Sequence, residues 1–218
     1  MSMPAEHMIQ APTVADLLHG YVDAPRIPVH GIASDSRLLR EGFLFLAVQG
    51  MSSHGLNFLE QARQAGVCAV AWDASTGSEP EEIGVPTIAV DGLAEKLGEI
   101  ATRFYGRPSE HLDVIGVTGT TGKTTVAWMI AQAGELLGEH CGYLGTLGYG
   151  VGSVDGAEGM TTPATIELHG RLADCIDQGA KHAAIEVSSH ALSQNRGDGV
   201  RFDFALFKNL CRDHLDFH

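Results

Sequence analysis

VIGVTGTTGKTT, residues 114–125, is the stretch on which the fold turns. A run rich in apolar and β-branched residues, 112–117, leads into glycines and threonines. Apolar residues then recur at Val126, Met129, Ile130, Ala133 and Leu137, the spacing of a helix. Strand, glycine turn and helix in that order predict a parallel sheet covered by helices. The glycines let successive backbone N–H groups converge on an anion with no Cβ in the way. The following helix adds the positive end of its dipole. Lys123 supplies a point charge suited to β and γ phosphates, and the Thr124 hydroxyl suits a Mg2+ ligand. In the general phosphate loop the first glycine stands five positions before the second. That place here is Val117 and the extra glycine is Gly119, so the loop reads GTTGKT. A glycine turn that merely joins a strand to a helix is the competing reading, and GKTT at the junction weighs against it.

Upstream, residues 13–21 read as a short helix with Thr13 as N-cap and Asp16 three residues on. FLFLAV, 43–48, has the pattern of a buried strand, and 50–55 that of a polar loop between two glycines. Residues 57–65 have helical spacing, 67–72 and 85–90 are strand-like, and 93–105 form an amphipathic helix. Strands alternate with helices from the start, which predicts an α/β chain. The domain change is expected between Val90 and Pro108.

Downstream, 182–187 and 202–207 read as strands. Glu186 follows an apolar run, so its carboxylate emerges near the strand's C-terminal edge, where open α/β sheets bind ligands. Nucleotide enzymes need such an acid near Mg2+, although a capping or salt-bridged glutamate has the same pattern. NLCRDHLDFH, 209–218, carries two aspartates and two histidines. His214 and His218 are spaced i, i+4, which leaves two readings open: a metal site, or a solvated helix start with Asp213 in its first turn.

The chain has 218 residues, 44% hydrophobic and 19% charged, as expected of one large or two smaller globular domains. No apolar run is long enough to span a bilayer, and MSMPAEHMIQ lacks the basic start and apolar core of a signal peptide. The cytoplasm is the expected compartment. A net charge of −13 argues against general nucleic-acid binding. The four cysteines contain no CxxC pair, so they predict isolated buried thiols, without a zinc ribbon or redox motif.

Taken together, GTTGKTT, TTP at 161–163, EVSSHAL at 186–192 with Gln194 and Arg196 beyond it, and NLCRDHLDFH resemble the Mur ligase family. ASDSR at 33–37 and the loop at 50–55 are similar to that family's uridine-nucleotide domain. The resemblance covers nearly the whole chain and is specific in the combination of motifs.

The resemblance implies an α/β chain in which residues 1–91 form a small UDP-substrate-binding domain. Residues 92–218 would form the first part of a P-loop parallel-sheet ATP-binding domain. It implies an ATP-dependent amide-bond ligase that adds the third amino acid, meso-diaminopimelate or L-lysine, to UDP-MurNAc-L-Ala-D-Glu in peptidoglycan synthesis. The step would run through an acyl phosphate. ATP would be held by Gly119, Thr120, Thr121, Gly122, Lys123, Thr124 and Thr125, and Mg2+ by Thr124, Glu186 and His214. Lys123, Glu186 and His214 would be the catalytic set. The UDP-MurNAc dipeptide would contact Ser34, Ser36, Met51, Ser52, Ser53, Thr161, Thr162, Ser188, Gln194 and Arg196. A monomer without nucleic-acid partners or membrane insertion is expected.

Two departures stand out. The family's loop usually reads GTNGKT, with asparagine where Thr121 stands. The chain also ends at His218, where Mur ligases continue to a carbamylated lysine, adenine-binding residues and an amino-acid-receiving domain. It therefore reads as an N-terminal fragment, inactive alone. Alternatives are another ligase of this group (one adding D-Ala-D-Ala, or a folylpolyglutamate synthetase), or a non-catalytic nucleotide-binding module. The pairing of TTP with EVSSH argues against the other ligases. A simple P-loop kinase leaves the first hundred residues without a role.

Overall fold

Thr13 opens the first element by accepting the Asp16 N–H at 3.3 Å while its own N–H donates to the Asp16 carboxylate at 2.9 Å. This capping box starts α1, Val14–Leu17, which is one turn long and shorter than its sequence pattern suggested. The computed structural model describes residues 11–50, 53–156 and 160–211. The chain divides into two compact units, Met1–Lys96 and Leu97–His218.

The first unit carries four parallel strands in sequential order: β1 (Gly31–Ala33), β2 (Phe43–Ala47), β3 (Ala69–Asp73) and β4 (Thr87–Val90). Leu44, Phe45, Leu46 and Ala47 are all fully buried, because a central parallel strand is covered on both faces. Helix α2 (Leu59–Ala65) packs Leu59 and Ala62 against Phe45, Val67 and Val70. The turn at Ser34 and the loop beginning at Gly50 follow the ends of two adjacent parallel strands. Both therefore lie at the C-terminal edge of this sheet.

Asp73 ends β3 and is 4% exposed. Its carboxylate accepts from the Ser75 hydroxyl (2.6 Å), the Ser75 N–H (3.1 Å), the Gly92 N–H (3.2 Å) and the Ala94 N–H (3.3 Å). Burial works to raise its pKa, but these four donors hold it below the ordinary 3.8. One side chain thus ties β3 to the start of α3, Leu93–Phe104.

The second unit is a five-stranded sheet in the order β7-β6-β8-β5-β9. Its strands are β5 (Asp113–Thr118), β6 (Cys141–Gly145), β7 (Gly148–Val151), β8 (His182–Glu186) and β9 (Phe204–Phe207). Its helices are α4 (Lys123–Leu136), α5 (Thr165–Asp177) and α6 (Ser189–Ser193). β5, β6, β8 and β9 are parallel, but β7 runs antiparallel to β6. The parallel, helix-covered sheet expected from the sequence is thus present with one antiparallel edge strand: only Thr146 and Leu147 separate β6 from β7, too few for the crossover a parallel pair needs.

Side-chain alternation assigns the two faces. Val117, Cys141, Tyr143 and Ala184 face α4, whereas Val114, Leu144, Ala183 and Ile185 pack with Leu168, Leu172 and Cys175 of α5. The buried stripe of α4 is narrow. Ala127 and Ala131 are buried, while Met129 and Leu137, two of the apolar residues at helical spacing, are 64% and 80% exposed. Apolar residues encircle this helix, and the small alanines take the face nearest the sheet.

The cysteines are free thiols: Cys141 and Cys175 are buried, Cys68 is half-buried and Cys211 is exposed. Burial pushes Cys141 up to about 11 and Cys175 up to about 12, so neither forms a thiolate at neutral pH. Among the described residues no helix is long and apolar enough to cross a membrane.

Asp73→Ala is expected to lower the unfolding free energy of the first unit by about 2 kcal/mol at pH 7. The folded pKa is depressed, so the wild-type advantage is complete above the unfolded pKa of 3.8 and disappears as pH falls through the folded value. Urea denaturation of both proteins at pH 7 and pH 3 checks this; an equal gap at both pH values would contradict it.

Candidate functional site

The phosphate loop leaves β5 after Thr118 and ends at Gly122, which precedes α4 with φ 80°. No side chain caps α4, and the N–H groups of Gly122, Lys123, Thr124 and Thr125 find no acceptor among the described residues. These donors open the N-terminal end of a 14-residue helix, where an anion is favoured. The Lys123 ammonium turns back over the loop, donating to the Gly119 carbonyl at 2.8 Å and the Thr120 carbonyl at 3.3 Å. Lys123 therefore lies at the turn, as expected. The Thr120 and Thr121 amides are already engaged, by the Asn209 carbonyl and the Asn209 Oδ1, each at 3.1 Å.

Beside the loop lies the end of β8. Glu186 pairs with Val117 across the β5–β8 ladder and shares the face that α4 covers. Its side chain is fully buried. A carboxylate without water must be satisfied by protein donors. Thr124 Oγ1 donates to Oε2 at 2.8 Å, the Thr146 N–H to Oε1 at 2.8 Å, and the Tyr143 hydroxyl to Oε1. Thr146 Oγ1 lies 3.3 Å from Oε2. Burial and the adjoining carboxylate push the Tyr143 pKa up, so its proton stays in place as a donor. The Trp128 ring meets Tyr143 edge-on at 5.3 Å and helps hold it.

Gly145 is required by this packing. A Cβ there would stand 2.0 Å from Glu186 Oε1 and 2.6 Å from the Tyr143 hydroxyl. Tyr143, Gly145 and Thr146 were not identified in the sequence. Their signal was GTLGYG at 145–150, whose glycines and intervening aromatic mark a hairpin beside the sheet.

Thr161, Thr162, Ser188, Gln194 and Arg196 gather on the same side of Glu186. Thr162, 1% exposed, donates to the Glu186 carbonyl at 2.7 Å and accepts the Ser188 N–H at 3.1 Å. Thr161 Oγ1 is 3.3 Å from Thr146 Oγ1. Ser188 caps α6 by accepting the Ala191 N–H at 3.1 Å. Arg196 donates Nη1 to the Thr162 carbonyl at 2.9 Å and Nε to Gln194 Oε1 at 3.0 Å. Its guanidinium is fixed and keeps further N–H groups for an anion. Burial draws its pKa down from the ordinary value.

In the first unit, Ser34 is half-buried and Ser36 is 8% exposed at the start of a short 3-10 turn. Asp35 caps that turn, accepting the Arg37 N–H at 2.9 Å. The Ser53 carbonyl accepts the Gly50 N–H at 2.9 Å, closing the loop. Met51, Ser52 and His214 lie outside the described residues, as do Asp213 and His218.

Thr124 Oγ1 and the Glu186 carboxylate are hard oxygen donors 2.8 Å apart at the open helix end. That donor set fits Mg2+, which binds through one or two carboxylates with phosphates and waters completing the shell. Among the described residues no group of three or more His, Cys, Asp or Glu could hold a metal by itself.

Sequence profiles place this geometry among known proteins. One described as the Mur ligase middle domain matches residues 117–218, and one described as Mur ligase family, catalytic domain, matches residues 28–105. A Xanthomonas oryzae pv. oryzae protein named UDP-N-acetylmuramoyl-L-alanyl-D-glutamate--2,6-diaminopimelate ligase is 47% identical over 194 residues, which are 88% of this chain and 39% of that protein. A Pseudomonas aeruginosa protein of the same name is 46% identical over 190 residues, 87% of this chain and 39% of its own length. A solved structure carrying that name is similar at a TM-score of 0.76 and 28% identity, over 95% of this chain and 42% of its own. The chain spans about two-fifths of the length of the curated relatives it matches.

Removing one donor from Glu186 should be costly. Tyr143→Phe is expected to lower the stability of the second unit by about 1–3 kcal/mol. In combination with Glu186→Gln the loss should be clearly smaller than the sum of the single changes. A double-mutant cycle by urea denaturation reads this, and strict additivity would show that the two groups do not interact.

Proposed function

We propose that this chain, which belongs to the Mur ligase family, binds MgATP at the loop of the second unit and serves ATP-dependent amide-bond formation on UDP-MurNAc-L-Ala-D-Glu. The observation that carries this reading is the uncapped start of α4, whose first four amides have no acceptor among the described residues, with the Lys123 ammonium turned back over the same loop. The names of the relatives favour diaminopimelate as the incoming amino acid; the setting that goes with this reading is peptidoglycan synthesis in the cytoplasm.

The residues divide the work by chemistry. The amides of Gly122, Lys123, Thr124 and Thr125 would receive phosphate oxygens, and Lys123 would exchange its two carbonyl partners for the β and γ phosphates. Glu186 and Thr124 would hold Mg2+, with His214 as a further ligand by family resemblance. When bound, the ion supplies positive charge to phosphoryl oxygens, which a carboxylate nucleophile would otherwise repel. Transfer of the γ-phosphoryl group to the substrate carboxylate would release ADP. Attack by the amine would then release phosphate and form the amide. Ser34, Ser36 and the loop of Met51, Ser52 and Ser53 would contact the uridine diphosphate. Thr161, Thr162, Ser188, Gln194 and Arg196 would orient the remainder, with Arg196 offering a planar fork to an anionic group. Holding both anions in line contributes roughly 7–11 kcal/mol to barrier lowering in well-oriented reactions.

Lys123→Ala is expected to weaken MgATP binding at least about tenfold by isothermal calorimetry. It should also abolish ATP-dependent incorporation of diaminopimelate in an enzyme carrying these two units. Binding and turnover within twofold of wild type would overturn the assignment.

A further inference from the structure

Residues 208–211, immediately after β9, run alongside the phosphate loop and are bonded to it along their length. The Lys208 N–H donates to the Thr118 carbonyl at 3.0 Å and extends the β5–β9 ladder. The Asn209 carbonyl then accepts the Thr120 N–H at 3.1 Å, and the Cys211 N–H donates to Thr120 Oγ1 at 2.8 Å. The Asn209 side chain grips Thr121 from three directions. Its Oδ1 accepts the Thr121 N–H at 3.1 Å, while its Nδ2 lies 3.3 Å from the Thr121 carbonyl and 3.2 Å from Thr121 Oγ1. The backbone, carbonyl and hydroxyl of one loop residue are thus fixed by one amide side chain.

Lys208 reaches the other end of the loop. A Cβ built on Gly122 would lie 1.9 Å from Lys208 Nζ, so the ammonium rests directly over the residue that precedes α4. No other cation except Lys123 is bonded to this loop among the described residues. Two ammonium groups thus flank the loop, that of Lys123 on the Gly119 and Thr120 carbonyls and that of Lys208 over Gly122.

We propose that Lys208 and Asn209 form a second wall of the triphosphate site. Asn209 is a positioning residue that fixes the loop at Thr121, and Lys208 is a binding residue that adds a second positive charge at Gly122. This rests on the reading of the loop as a phosphate site. Two physical reasons support it. A loop with its N–H groups already aimed loses less freedom on binding than one that must be ordered. A triphosphate also carries more negative charge than one ammonium and a helix end offset, so a second cation within reach is favoured.

The test is calorimetric titration of the 218-residue chain with MgATP and with inorganic tripolyphosphate, at low and high salt, using Lys123→Ala as reference. Lys208→Met should weaken both ligands about five- to tenfold and flatten the salt dependence, because a screened charge has been removed. Lys208→Arg, which keeps the charge, should restore binding to within about threefold. Asn209→Ala should weaken both ligands by a similar factor with an unchanged unfolding midpoint. Asn209→Asp should be weaker still, since it keeps the acceptor for the Thr121 N–H but brings a negative charge to the phosphates. If wild type binds neither polyanion, the phosphate reading itself falls and this proposal with it. If wild type binds, Lys123→Ala does not, and the Lys208 and Asn209 variants match wild type, only the second wall is disproved.

Discussion

A carboxylate enclosed by protein must find every hydrogen bond inside it, and Glu186 draws its donors from three parts of the chain. Thr124 comes from the first turn of α4, Tyr143 from β6, and Thr146 from the turn beyond it. An unpaired buried charge costs several kcal/mol, so this one group holds the phosphate loop, the β6–β7 hairpin and β8 in a single arrangement. It also fixes what can stand nearby. Gly145 has no Cβ because Glu186 already occupies that space.

The meeting of these groups follows from strand alternation. On β8, Ala184 and Glu186 point to the α4 side while Ala183 and Ile185 point to the α5 side. Tyr143 on β6 has the same parity, so hydroxyl and carboxylate share one layer beneath α4. A one-residue slip would send Glu186 into the apolar packing of α5. Thr162 prevents this from a second direction, holding the Glu186 carbonyl and the Ser188 N–H together.

Much of this was legible in the residues. FLFLA announced a strand buried on both faces, and it is β2. GTTGKTT announced the turn between a strand and a helix, which joins β5 to α4, and Glu186 was visible as the lone acid closing an apolar run. What stayed hidden depends on contacts made across the sheet. Tyr143 reads as one more core aromatic until β6 is known to lie beside β8. Asn209 is 88 residues from Thr121 and reaches it only because β9 pairs with β5. The inward stripe of α4 is not readable in the sequence because apolar residues surround the helix, and periodicity has no preferred direction in such a segment. The hairpin at Thr146–Leu147 has its signal in the flanking glycines, Gly145 and Gly148, which suit a tight turn.

Lys123 rests with its ammonium on the carbonyls of Gly119 and Thr120, four and three residues before it. The loop thereby stands in for its own guest. Admitting a polyanion is then a trade of partners: two carbonyl contacts are given up, and nothing collapsed has to be opened. Such a trade leaves a modest net enthalpy for the first charge contact. On the proposed phosphate reading, a ligand long enough to reach from the ammonium to the helix end would engage both at once, and a shorter one would have to choose between them.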